Sequence, residues 1–261
     1  MKLNVISDLH CLPSRHENDR GFHTSWFGFE PEKLEPADYL VVAGDMGVFE
    51  NHVDVIKELR LRTEGKFKDI LWIRGNHDYW VDETTDWFAY SDEDLERPTS
   101  NKTIDLVDGD VAFVGTTLWT NSCKMSETER MNDYRYIPGF DPALKIQRFS
   151  EESNWLRGKW EKYRNEGKKV VLITHHNPRS AEQLPENSWD HADVYTAYWT
   201  VNNVLDDVKP DLWICGHIHE TFDGDIDGVR FVRHPIGYRW SWYAFAPQTN
   251  KSEWYNKIVE I

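Results

Sequence analysis

Six short runs of aliphatic and β-branched residues recur along the chain, and each breaks off at a polar cluster. They are LNVIS (3–7), YLVVAG (39–44), DILWIRG (69–75), VAFVGTTLW (111–119), KVVLITHH (169–176) and DLWICGH (211–217). Continuous apolar runs of this length fit strands buried on both faces, as in a sheet covered by helices. Helical patterns lie between them. HVDVIKELRLRTEG (52–65) places apolar residues at 53, 55, 56, 59 and 61 and stops at Gly65. EESNWLRGKWEKYRNEG (151–167) stops at Gly167, and TAYWTVNNVLDDV (196–208) is closed by Pro210. The alternation predicts a layered α/β fold. VRFVRHPIGYRW from 229 and the terminal WYNKIVEI read as closing strands. No linker, low-complexity stretch or repeat divides the 261 residues, so one domain over 1–261 is expected. The acidic segment 81–96 reads as a solvated insertion, with a lid over a site as the sharper alternative.

Composition narrows the classes of function. With 30 Lys and Arg against 45 Asp and Glu, the formal net charge of −15 repels polyanions at long range, so duplex DNA is not the expected partner. No apolar run approaches the roughly 20 residues that span a bilayer, and the N-terminus has no apolar targeting core, so a cytoplasmic protein is expected. Cys11, Cys123 and Cys215 are odd in number and far apart, which argues against a disulfide framework and against a thiolate zinc site.

The polar clusters carry the chemistry. Asp8 and His10 follow the first run, and Asp45 the second. Asn76, His77 and Asp78 follow the third. His175 and His176 close the fifth run, and His217 and His219 the sixth. In open α/β sheets ligands bind outside the carboxyl ends of the strands, so five strand ends can deliver carboxylate, carboxamide and imidazole groups to one rim. D-x-H and H-x-H place two donors on one side of an extended segment. A chance G-H-x-H at this composition is expected only about 0.03 times per chain. Oxygen and imidazole donors without thiolate suit Mn, Fe, Zn or Ni.

In these residues the chain resembles the calcineurin-like metallophosphoesterase superfamily, and the stretch from THHNP through PDLWICGHIHETFD to HPIGYRW resembles a bacterial and phage-type branch of unknown substrate. The matching motifs are D8-L-H10, G44-D45, G75-N76-H77-D78, T174-H175 and G216-H217-I-H219, in order. The resemblance implies a four-layer α/β/β/α sandwich of two mixed sheets flanked by helices, with two divalent or transition metal ions, Mn being the expected pair in vitro. Asp8, His10 and His219 would hold one ion, Asn76, His175 and His217 the other, and Asp45 would bridge them. His77 would be the catalytic histidine near the leaving group, with Asp78 beside it. The implied reaction is hydrolysis of a phosphodiester or phosphomonoester by a hydroxide bridging the metals. Where many members carry a second carboxylate to orient that histidine, this chain has Val48; Asp78 and Glu50 are the alternatives.

Other residues are candidates by position. Arg15 and Arg20 lie on the loop after the first motif, Tyr134 and Arg135 in MNDYRYIPGF, and Arg233, His234, Tyr238 and Arg239 after the last motif. These, with His176 beside a ligand, are candidate substrate contacts. A small phosphoester or nucleotide is the expected substrate. The alternatives are a protein phosphatase, whose GDxVDRG pattern is absent, a repair-type nuclease, and a metal-binding scaffold without activity.

Overall fold

Successive residues of each apolar run go to opposite faces of a sheet, and in this protein both faces are covered. The computed structural model describes residues 1–14, 23–25, 29–48, 52–80, 103–121, 131–137, 139–178, 205–237 and 255–261. Strands β1 (Lys2–Ile6), β4 (Tyr39–Ala43) and β5 (Asp69–Ile73) run parallel, and β12 (Ile258–Glu260) closes their edge antiparallel to β1. The second sheet has the order β10 (Phe222–Ile226), β11 (Val229–Arg233), β9 (Leu212–Cys215), β8 (Lys169–Thr174), β7 (Val111–Thr116) and β6 (Thr103–Asp108). Its four central strands are parallel and its two edges are antiparallel hairpins. Strands β2 (Leu12–Ser14) and β3 (His23–Ser25) form a separate short ribbon.

Between the sheets lie Leu3, Val5, Val41, Ala43, Leu71 and Ile73 from one and Phe113, Val171, Ile173, Ile214 and Val232 from the other. The outer face of the first sheet, with Ile6, Leu40, Val42 and Trp72, packs on Val55, Ile56 and Leu59 of helix α1 (His52–Arg62). The outer face of the second, with Val114, Val170, Leu172, Trp213 and Phe231, packs on Phe149, Leu156 and Tyr163 of the long helix α3 (Pro142–Asn165). A short helix α2 (Asp133–Tyr136) precedes it. The order of layers is therefore α/β/β/α, as the resemblance implies.

The elements differ from the sequence expectation in several places. Helix α3 starts at Pro142 rather than at 151, because Asp141 caps it through Oδ1, which accepts the Leu144 N–H at 2.8 Å, with Pro142 in the first turn. Strands β2, β3, β6 and β10 lie outside the expected runs; polar residues interrupt the last two, Thr103, Asp105 and Asp108 in β6 and Asp223 and Asp225 in β10. Most of the helix expected over 196–208 lies outside the described residues, and its end forms a turn at 205–207. The segment 81–96 also lies outside them. No helix among the described residues is long and apolar enough to cross a membrane.

Phe113 is fully buried between the sheets, its ring 5.3 Å from that of Tyr39. Phe113→Ala should cost about 3–5 kcal/mol of unfolding free energy, the range for a large buried ring left as a void. Urea denaturation measures this, and a loss under about 1 kcal/mol would contradict a packed inter-sheet core.

Candidate metal centre

Parallel strands bring their carboxyl ends to one rim, and the turns that follow are bound to one another across it. Asp8 N donates to Gly44 O at 3.0 Å, His10 N to Asp45 O at 3.0 Å and Gly216 N to His175 O at 3.0 Å. Beyond β11 the chain crosses to the other sheet: Pro235 pairs with Ser7, and Gly237 N donates to Asp8 O at 2.9 Å. Asp8, His10, Asp45 and His217 all have left-handed backbone, with φ of 54°, 46°, 54° and 66°. That conformation is costly for a residue with a Cβ and collects at functional turns. The motif glycines make room. A Cβ on Gly75 would lie 2.1 Å from Asp45 Oδ1, and one on Gly44 would lie 2.5 Å from His175 Nδ1.

Eight side chains anticipated from the motifs converge here, in overlapping groups. His10 Nε2 and His219 Nε2 are 3.0 Å apart, and Asp8 Oδ1 lies 3.3 Å from the latter and 3.9 Å from the former. In the second group Asn76 Oδ1 lies 3.0 Å from His175 Nε2 and 3.1 Å from His217 Nδ1. Asp45 Oδ2 stands between the groups, 3.4 Å from His175 Nε2, 3.8 Å from His10 Nε2 and 4.0 Å from His77 Nε2. Asp8–His10–His219, Asp45–His175–His217 and His10–Asp45–His77 each present three donor atoms within 4.8 Å of one another.

The donor chemistry fits divalent cations. His175 Nδ1 lies 2.9 Å from the Ala43 carbonyl, which takes that N–H and leaves Nε2 to face the centre. Burial holds His10 well below the usual imidazole range, helped by neighbouring His77, and holds His217 down to about 3. Burial alone would raise Asp8, but bonding and attraction to His219 bring it down to about 2. Burial also opposes charge on His175, yet the facing Asp45 carboxylate outweighs it and raises this imidazole to about 9. Ionised carboxylates and neutral imidazoles are the forms that ligate a metal, so His175 would give up a proton as an ion binds.

The remaining candidates stand elsewhere. Asp78 is fully buried behind the turns. Its Oδ2 accepts Gly75 N and Asp45 N at 2.8 Å each, and its Oδ1 accepts Gly47 N at 3.0 Å. The carboxylate is a brace for the Asp45 and Asn76 turns; burial, then the nearby Asp45 charge, raises it to about 7. His176 is buried with its ring 4.4 Å from that of His217 and 5.3 Å from that of Trp119. That position packs His176 against His217, one of the expected metal ligands. Tyr134 packs on Phe140 with ring centroids 5.7 Å apart, while Arg135 is exposed on α2. Arg233 is buried over the Phe222 ring instead of lying on the rim. Arg15, Arg20, Glu50, Tyr238 and Arg239 lie outside the described residues.

Two residues at the site escaped the sequence reading. Asp133 is buried, and its Oδ1 accepts both the Asn76 amide and the Trp80 indole N–H at 2.8 Å. Trp80 in turn stacks on His77, with ring centroids 3.5 Å apart and an interplanar angle of 27°. The signal is adjacent: Asp133 directly precedes the candidate contacts Tyr134 and Arg135.

The model of the calcineurin-like phosphoesterase family matches residues 1–221. A search of curated proteins finds no match. Among solved structures, the phosphopantetheinyl hydrolase of Mycobacterium tuberculosis is similar at 17% identity and a TM-score of 0.62, over 99% of this chain and 95% of that one. A dimetal phosphatase from Danio rerio is similar at 14% identity and a TM-score of 0.50, over 89% of this chain and 86% of that one. At such identities the likeness is one of fold, and the fold agrees with the family match. The motif residues that the family model spans are the ones gathered at the rim, and the chain belongs to the calcineurin-like phosphoesterase family of metal-dependent hydrolases acting on phosphoester bonds.

Proposed function

We propose that the protein hydrolyses a small phosphoester, a diester or a nucleotide-sized monoester, at a centre of two divalent ions. The observation that carries this reading is the Asp45 carboxylate, whose Oδ2 faces donors of both groups, His175 at 3.4 Å and His10 at 3.8 Å. Asp8, His10 and His219 would hold one ion, Asn76, His175 and His217 the other, with Asp45 shared. Two such ions supply a lowered water pKa and a clamp on phosphoryl oxygens.

The chain's own residues do the rest. His77 keeps its side chain 13% exposed at the edge of the donor cluster, so it can meet an ester oxygen from solvent. Burial lowers its pKa, the attraction of Asp45 notwithstanding. When protonated, an imidazole at that position can give its proton to the oxygen of a departing alcohol. The His77 backbone N–H, donated to Asp45 Oδ1 at 2.9 Å, ties the position of this ring to the shared carboxylate. The −15 charge supports a small substrate over duplex DNA, and the buried Cys11 and Cys215 are compatible with a reducing cytoplasm.

Three measurements test this reading. Asp45→Asn should weaken both ions together, and elemental analysis showing an unchanged count in the variant would remove Asp45 from the bridging role. His77→Asn should lower kcat by about 10²–10⁴ on alkyl esters while leaving bound metal unchanged, and by much less on p-nitrophenyl esters, whose leaving group needs no proton. In a screen of the metal-reconstituted protein, small esters should exceed a phosphopeptide and duplex DNA in kcat/KM. A phosphopeptide or DNA ranking first would replace this reading with that of a protein phosphatase or a nuclease.

A further inference from the structure

The Asn76 side chain has two ends that differ in chemistry but hardly in shape, and its use as a ligand depends on which end faces the centre. A carboxylate oxygen bonded by two N–H groups can only accept. Asp133 Oδ1 is in that position, receiving Asn76 Nδ2 and Trp80 Nε1 at 2.8 Å each. The amide nitrogen of Asn76 is thereby committed to Asp133, and its oxygen is left 3.0 Å from His175 Nε2 and 3.1 Å from His217 Nδ1. The second N–H received by the same oxygen belongs to the indole stacked on His77.

We propose that Asp133 is a positioning residue serving two tasks, turning the Asn76 carbonyl toward the metal centre and, through Trp80, fixing the plane of His77. Trp80 thus takes up the orienting work for which this chain carries Val48 in place of a second carboxylate. The inference rests on the metal-centre reading above.

Metal titration and amide exchange test it together on the full-length protein. With Mn²⁺ as the probe in calorimetry, Asp133→Leu, similar in shape but without an acceptor, should lose about 10–100-fold in affinity for one ion and little for the other. Asp133→Asn, which restores an acceptor oxygen of the same reach, should recover most of that loss. Wild-type affinity for both ions in Asp133→Leu would overturn the proposal. So would an Asp133→Asn variant as weak as Asp133→Leu, since the charge and not the acceptor would then matter. Trp80→Phe, which keeps a ring and loses the N–H, should show unchanged Mn²⁺ affinity and KM with a severalfold lower kcat on alkyl esters; an unchanged kcat would overturn the His77 arm. In the metal-free wild type, the Asn76 side-chain amide protons should exchange slowly with water by NMR. Fast exchange there would overturn the proposal even if Asp133→Leu did not fold. A wild type that binds fewer than two Mn²⁺ but keeps the slow amide would instead remove the two-ion reading and leave the Asp133–Asn76 bond standing.

Discussion

The Asp45 carboxylate meets imidazoles on three sides, from His175, His10 and His77, and accepts a backbone N–H with the oxygen that does not face them. Most of the local architecture exists to hold this group in place. Asp78, buried beneath, accepts the backbone N–H groups of Asp45, Gly47 and Gly75 and so fixes the two turns against each other. Gly75 lacks a Cβ where one would collide with Asp45 Oδ1. A buried carboxylate without compensation would be strongly disfavoured, and here it is matched above all by His175, whose ring is fixed through Nδ1 to the Ala43 carbonyl.

This arrangement is costly in backbone terms. Left-handed geometry at a residue with a side chain costs roughly 1–2 kcal/mol, and Asp8, His10, Asp45 and His217 each carry it. It persists because the strands beneath are over-determined, with Val5, Val41, Ala43, Ile73, Ile173 and Ile214 fully buried immediately below the turns. Thr117 adds a further restraint, its carbonyl accepting the N–H of both His175 and His176. Half-buried Glu152 of α3 braces the same loop from outside by accepting the Trp119 N–H at 3.1 Å.

What could be read from the sequence was the part written in local pattern. Double-sided burial made β1, β4, β5, β7, β8 and β9 visible as apolar runs, and their polar ends marked the rim. The hairpin strands β6 and β10 were not seen, although Asp108-Gly109 and Asp227-Gly228 carry the dipeptide that favours tight antiparallel turns; Asp227 and Gly228 have φ of 53° and 78°. Their interspersed polar residues leave no continuous apolar run to mark them. Asp133 was illegible for a different reason. Its meaning lies in a partner 57 residues away, and nothing in MNDYRY distinguishes the aspartate that turns inward from the tyrosine and arginine beside it. Asp78 shows the converse: it is plain in the motif beside His77, but the three backbone N–H groups its carboxylate accepts come together only in the folded turns.

The rim is also a seam. Asp8 and His10 follow a strand of one sheet and His219 a strand of the other, and Asp45 and Asn76 are likewise set against His175 and His217 across the gap. Two sheets in a sandwich can slide past each other more easily than either can deform within its own ladder. Shear along this seam therefore registers directly as a change in the spacing between donors, and a substitution deep between the sheets can retune the centre without touching it.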